Sequence, residues 1–166
     1  MANTIPVNYE LQFEPLFHNF TFNGVEIITI SLSKATDSII LDAAELKIEK
    51  CHVEQGTKII TANASLNEKN ERLTIKLSKK IKGKAKLCIR FTGVLNDRLL
   101  GFYKSQYKDN KGKTKYLATT QFEAADARRA FPCWDEPAVK ATFDVSLLVD
   151  RHHDAISNMS ITSKKT

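Results

Sequence analysis

Side chains able to do chemistry crowd into one stretch, Thr119 to Phe143, which holds Gln121, Glu123, Asp126, Arg128, Arg129, Cys133, Asp135 and Glu136. Acids and arginines interleaved this closely attract one another, and paired charges make strong, oriented hydrogen bonds. Asp126, Arg128, Arg129, Asp135 and Glu136 therefore read as an ion-pair network that fixes a loop, in preference to a catalytic set. Glu123 falls three residues after Thr120, the spacing of a capping box, in which the glutamate bonds back to the helix-starting threonine and needs no substrate. The alanine-rich run Ala124–Ala130 suits a helical turn, and Pro132 stops it. Gln121 reads as a polar residue closing a strand. Phe131, Cys133 and Trp134 are expected to pack this loop or a domain interface, with Cys133 a buried and inert thiol despite the two nearby arginines.

Other chemistries find no complete constellation. The four histidines, His18, His52, His152 and His153, include no His-Glu-x-x-His, and none has a second ligand at i+4. His152-His153-Asp154 reads as a solvated loop. There is no Gly-x-Ser-x-Gly elbow and no phosphate loop. The three cysteines, Cys51, Cys88 and Cys133, are too few and too scattered for a disulfide framework, and no Cys-x-x-Cys occurs. On the residues alone, this chain has no catalytic residue, binds no metal or cofactor of its own, and lacks an active site.

The elements that must position the loop are strands. Val7, Tyr9, Leu11 and Phe13 alternate with polar residues up to Pro15, and Val25–Leu32, Ser38–Asp42, Leu46–Val53, Lys58–Thr61, Arg72–Leu77 and Lys86–Phe91 continue the period-two pattern. Polar breaks at Thr36-Asp37, Asn67–Asn70 and Lys82-Gly83-Lys84 separate them. Lys108–Lys113, with Asn110 and Gly112 tolerant of positive φ, predicts the lysine-rich tip of a hairpin. Strand periodicity returns at Thr142–Val149. The fold class is all-β, a saddle-like antiparallel sandwich or set of curved sheets with one short helical turn near 124–130.

Composition agrees with one folded domain of 166 residues, since 42% hydrophobic and 27% charged residues exclude a disordered chain. No apolar run approaches the ~20 residues of a membrane helix. The N-terminal residues carry no secretory signal pattern, so the sequence predicts a cytoplasmic protein without a membrane partner, and the sequons at Asn19, Asn63 and Asn158 read as chance. The net charge of +6 assigns no function. Lys79, Lys80, Lys82, Lys84 and Lys86, with the lysine-rich hairpin, raise a single-stranded nucleic-acid reading. Alternation puts these lysines on a solvated strand face that blunts a sheet edge, so no nucleic-acid partner is expected.

The continuous string from Thr119 to Phe143, including Thr120-Gln121-Phe122-Glu123 and Phe131-Pro132-Cys133-Trp134-Asp135-Glu136-Pro137, resembles the N-terminal domain of the zinc aminopeptidases. That family includes aminopeptidase N, puromycin-sensitive aminopeptidase and the archaeal tricorn-interacting factors. Pro6–Tyr9, Gly24, Phe91-Thr92-Gly93, Gly101–Ser105 and Ser157-Asn158-Met159 carry the likeness across essentially the whole chain.

The resemblance implies a saddle-shaped β-domain over 1–166, slightly truncated at its C-terminus. A separate catalytic domain, absent from this chain, would bear the zinc ligands, the Gly-x-Met-Glu-Asn motif and a catalytic tyrosine. It further implies that Gln121 lines the active-site pocket and that Glu123 holds the substrate's free α-amino group, with zinc present only in the full-length enzyme. The expected partners are peptide N-termini and the enzyme's own catalytic domain. The alternative is a non-catalytic interaction module in an aminopeptidase-like assembly protein, and a His-Glu-x-x-His elsewhere in the protein separates the two.

Overall fold

Apolar residues at every second position build the strands of this chain, whose residues 3–165 are described by a computed structural model. In chain order they are β1 (Thr4–Leu16), β2 (Thr21–Asp42), β3 (Leu46–Gln55), β4 (Lys58–Asn67), β5 (Arg72–Val94), β6 (Gly101–Lys108), β7 (Thr114–Gln121) and β8 (Thr142–Leu147). Among the described residues a single 3-10 turn spans Ala127–Arg129. The larger sheet runs β3-β4-β5-β2-β1-β8, and β6 and β7 form a separate hairpin. The architecture is all-β with one short helical turn. Among the described residues no helix is long and apolar enough to cross a membrane.

Two strands are longer than their local patterns suggest. Val25–Leu32 and Ser38–Asp42, predicted as separate strands, are the two halves of β2, and Arg72–Leu77 and Lys86–Phe91 are the two halves of β5. Lys82-Gly83-Lys84 is therefore not a break between strands. Gly83 adopts φ +86° opposite Leu32, and the β2–β5 register then shifts to Thr36↔Ile81 and Ser38↔Lys76. A glycine tolerates that left-handed conformation without steric cost, so both strands bend together while the ladder continues beyond. The C-terminal half of β5 pairs with β3 and its N-terminal half with β4. One bent sheet results. Its edge departs from a purely antiparallel plan, because β8 lies parallel to β1 over Asn8–Phe13 and Thr142–Leu147.

The inner face is closed by Phe22, Phe91, Ile28, Ile30, Leu41, Leu73, Ile75, Leu87 and Ile89, each fully or almost fully buried. Burying one such side chain contributes ~1.5–3 kcal/mol. Phe13 touches Phe22, Phe91, Phe102 and Phe131 edge-on, joining the sheet, the hairpin and the loop after the hairpin into one core. The five lysines from Lys79 to Lys86 are exposed along β5, whose Ile81, Ala85 and Leu87 are buried.

One core position breaks the pattern. Glu26 faces inward on β2, is wholly buried, and neither carboxyl oxygen has a hydrogen-bond partner among the described residues. Burial pushes its carboxyl well above the usual carboxylate range. Between the ordinary glutamate value of about 4.3 and that raised value, the folded chain holds a proton that the unfolded chain lacks. Stability from this group therefore falls as pH rises above that ordinary value. Glu26→Met removes the unpaired oxygens at similar volume and is expected to raise stability at neutral pH by about 1–3 kcal/mol. Urea titrations of both proteins across pH check this, and equal slopes against pH would refute it.

Candidate functional site

The loop from Gln121 to Glu136 is held between the β6–β7 hairpin and the end of β2. At its start, Gly101 opens β6 with φ +68°, and a Cβ there would lie 2.6 Å from Arg129 Cβ, so only glycine lets the strand approach the 3-10 turn. At its far end, backbone bonds staple the loop to β2: the Asp42 amide donates to the Cys133 carbonyl at 2.7 Å, and the Cys133 amide donates to the Asp42 carbonyl at 3.0 Å. The Ala44 amide donates to the Arg128 carbonyl at 3.0 Å. Phe131 is buried and meets Tyr9, Phe13, Phe122 and Phe143 edge-on.

Charges do the rest of the fastening. Arg128 donates to Asp135 at 2.9 Å and to Glu71 at 3.1 Å, and lies 3.7 Å from Asp42. Arg129 donates to Asp126 at 2.9 Å and to Glu71 at 2.8 Å, and also pairs with Glu45, which Arg98 meets from its other side. Asp42, only 3% exposed at its side chain, pairs with Arg72 at 3.0 Å and accepts the Asp135 amide at 3.0 Å. The structure thus joins Asp126, Arg128, Arg129 and Asp135. Glu136 stands apart from them: its side chain is exposed, and it has no ion pair among the described residues. Asp42, Glu45, Glu71, Arg72 and Arg98 join the network from elsewhere in the chain, and no local pattern in the sequence marks them.

Besides Glu136, two side chains remain outside this neutralised cluster. Gln121 is the last residue of β7, and Glu123 is two residues further; both are exposed. Phe122 between them is itself partly exposed and packs edge-on against Phe131 at 5.9 Å. Glu123 has no hydrogen bond or ion pair among the described residues, and its peptide bond to Ala124 is cis. The capping-box expectation fails here. Thr120 lies inside β7 paired with Phe102, the helical turn begins only at Ala127, and its N-cap is Asp126 without a side-chain cap bond. The hairpin ladder claims Thr120, so no helix start is left for Glu123 to cap.

Cys133 is buried, and burial pushes its thiol well above the ordinary value, with Asp135, Glu26 and Asp42 adding to the rise. It is a packing residue. Trp134 donates its amide to the Tyr9 hydroxyl at 3.3 Å. The hydroxyl of Tyr9, largely desolvated, is held far from ionisation.

The profile of the Peptidase M1 N-terminal domain matches residues 5–166. Puromycin-sensitive aminopeptidase of Caenorhabditis elegans is 41% identical over 162 residues, covering 96% of this chain and 17% of that protein. Aminopeptidase 2 of Candida albicans is 41% identical over 161 residues, with 96% and 17% covered. Aminopeptidase M1 of Arabidopsis thaliana is 40% identical over 167 residues, with 97% and 19% covered. The chain therefore spans less than a fifth of the length of each of these relatives. With the loop geometry and near-complete coverage in hand, the chain belongs to the Peptidase M1 N-terminal domain family.

Proposed function

We propose that this chain is the substrate-anchoring domain of a zinc-dependent aminopeptidase that releases N-terminal residues from peptides, with Gln121 and Glu123 contacting the first residue. The observation that supports this most is the state of Glu123. It is exposed and, like Glu136, unpaired among the described residues, while Asp42, Glu45, Glu71, Asp126 and Asp135 around the same loop each have an arginine; of the two unpaired acids only Glu123 stands beside Gln121 at the end of β7. A peptide's α-amino group has a pKa of about 7.7–8.0 and is mostly an ammonium at neutral pH. A carboxylate free of internal partners can meet that charge, and the pair strengthens as the pocket closes around it. The Gln121 amide offers a donor and an acceptor beside it. Holding the amine fixes which peptide bond is presented to the hydrolytic centre.

Zinc, when bound in such an enzyme, polarises the scissile carbonyl and activates water. The loop residues do not suit that ion: the network acids are committed to arginines, Cys133 is a buried neutral thiol, and no histidine lies between Gln121 and Glu136. In this reading the metal centre belongs to a catalytic domain, and the present chain contributes recognition only. The 166-residue chain incubated with aminoacyl chromogenic substrates and zinc is expected to release no product above the blank. Turnover that survives re-purification would overturn this division of labour.

A further inference from the structure

On the outer face of the bent sheet, three ligand-bearing side chains from two adjacent strands converge. His52 and Glu54 lie two apart on β3 and so share a face, opposite the buried Val53. Cys88 on β5 is the direct cross-strand partner of His52 and lies on the face opposite the buried Leu87. An imidazole nitrogen, a carboxylate oxygen and the Cys88 Sγ all lie within 4.8 Å of one another, and His52 Nε2 is 3.3 Å from Glu54 Oε1. Ligands held tetrahedrally at roughly 2.0–2.3 Å from zinc stand roughly 3.3–3.8 Å apart, so modest side-chain rotations close this trio around an ion. We infer that His52, Glu54 and Cys88 form a binding site for a borderline-soft divalent cation, best matched by zinc, with a fourth position left to water.

Several observations support that assignment. A nitrogen, oxygen and sulfur donor set suits zinc and disfavours calcium and magnesium, which take oxygen ligands. The β3–β5 ladder fixes the separation of His52 and Cys88 before any metal arrives. His52 and Glu54 are 37% and 44% exposed at their side chains, which gives an ion direct access from solvent. Lys86 stands opposite Glu54, yet its Nζ reaches Glu10 on β1 at 3.3 Å, and Lys50 and Arg90, which flank the trio on the same face, make no ion pair with Glu54 among the described residues. Glu54 keeps His52 as its only ion-pair partner among the described residues. On binding, the S–H bond breaks, its proton passes to solvent, and the sulfur electron pair goes to the metal, with no change of oxidation state.

This site is independent of the amine-anchoring reading. Sequence spacing hides it, because Cys88 is far from His52 in the chain and only the strand pairing joins them.

The metal-free 166-residue chain titrated with zinc in equilibrium dialysis is expected to bind one ion and to gain thermal stability. Cobalt should produce a thiolate-to-metal charge-transfer absorption. Cys88→Ser should abolish that absorption, and Cys88→Ser and His52→Ala should each weaken zinc binding by at least about tenfold, the minimum seen even for residues one step removed from a metal. Cys51→Ser, whose residue packs against the core instead, should leave both readouts unchanged. Melting curves of the metal-free variants verify that each is folded. Absence of zinc binding to the parent chain, or equal binding by a folded His52→Ala/Cys88→Ser variant, would overturn the site.

Discussion

Glu123→Ala in the full-length enzyme is expected to cut kcat/KM for peptides with a free N-terminus by roughly 30-fold to several thousandfold. That interval is the ~2–5 kcal/mol lost when one member of a desolvated, hydrogen-bonded charge pair is removed, converted at about 1.4 kcal/mol per tenfold. Thermal stability should hardly change, because Glu123 is exposed and bonded to nothing within the described residues. Glu123→Gln keeps an acceptor but no charge and should fall between the two. In the parent enzyme, activity on free peptides should decline as pH rises through the amine's pKa of about 7.7–8.0, since the ammonium proposed as the partner of Glu123 disappears. The variant should lose that alkaline limb, a signature no purely structural role would produce. An unchanged kcat/KM, or a fall matched on N-acetylated peptides, would show that the amine is held elsewhere.

What separates Glu123 from its neighbours is visible only in three dimensions. The sequence shows an acid three residues after a threonine, and the capping box is a fair inference from that spacing. Whether Thr120 starts a helix or ends a strand depends on Phe102, its cross-strand partner, which lies beyond any local window. Local rules do hold where the partners are local. The hairpin tip is one such place, where Asp109 Oδ1 accepts the Lys111 and Lys113 amides at 2.9 Å each.

The long strands show the limit from the other side. Gly83 reads as a turn residue and indeed adopts a turn-like φ, but β2 runs opposite it and carries the ladder through. Glu26 is a third case. Val25 and Ile27 are as apolar as Ile28, so alternation could not say which set faces inward, and a one-residue choice of register decides whether a carboxyl is solvated or sealed. The arginine network fails to show for the same reason as His52 and Cys88. Its acids Asp42, Glu45 and Glu71 reach the loop through sheet topology, and nothing in the residues around them signals it.

A larger structural effect is expected at Arg128. Its side chain is 17% exposed and joins three carboxylates, those of Asp135, Glu71 and Asp42, while its carbonyl receives the Ala44 amide. Arg128→Ala should lower the unfolding free energy of this chain by about 3 kcal/mol, the low end for breaking a buried pair. Arg72 remains 3.0 Å from Asp42 and limits the loss. Arg128→Lys should recover little, because one ammonium cannot reproduce a planar fork spread over several acceptors. A double-mutant cycle with Asp135→Asn should return a coupling of about 0.5–3 kcal/mol.

Hydrogen exchange at the Ala44 and Cys133 amides should accelerate in Arg128→Ala, since both bonds anchor the loop that Arg128 secures. In the full-length enzyme the two classes of variant then separate: Glu123→Ala loses turnover at constant stability, whereas Arg128→Lys loses stability first and turnover through a loosened Glu123. Should Arg128→Ala melt within about half a kcal/mol of the parent, the range of an ordinary surface substitution, the loop is held by Phe131 and the Asp42–Cys133 backbone bridge, and its charges are merely solvated.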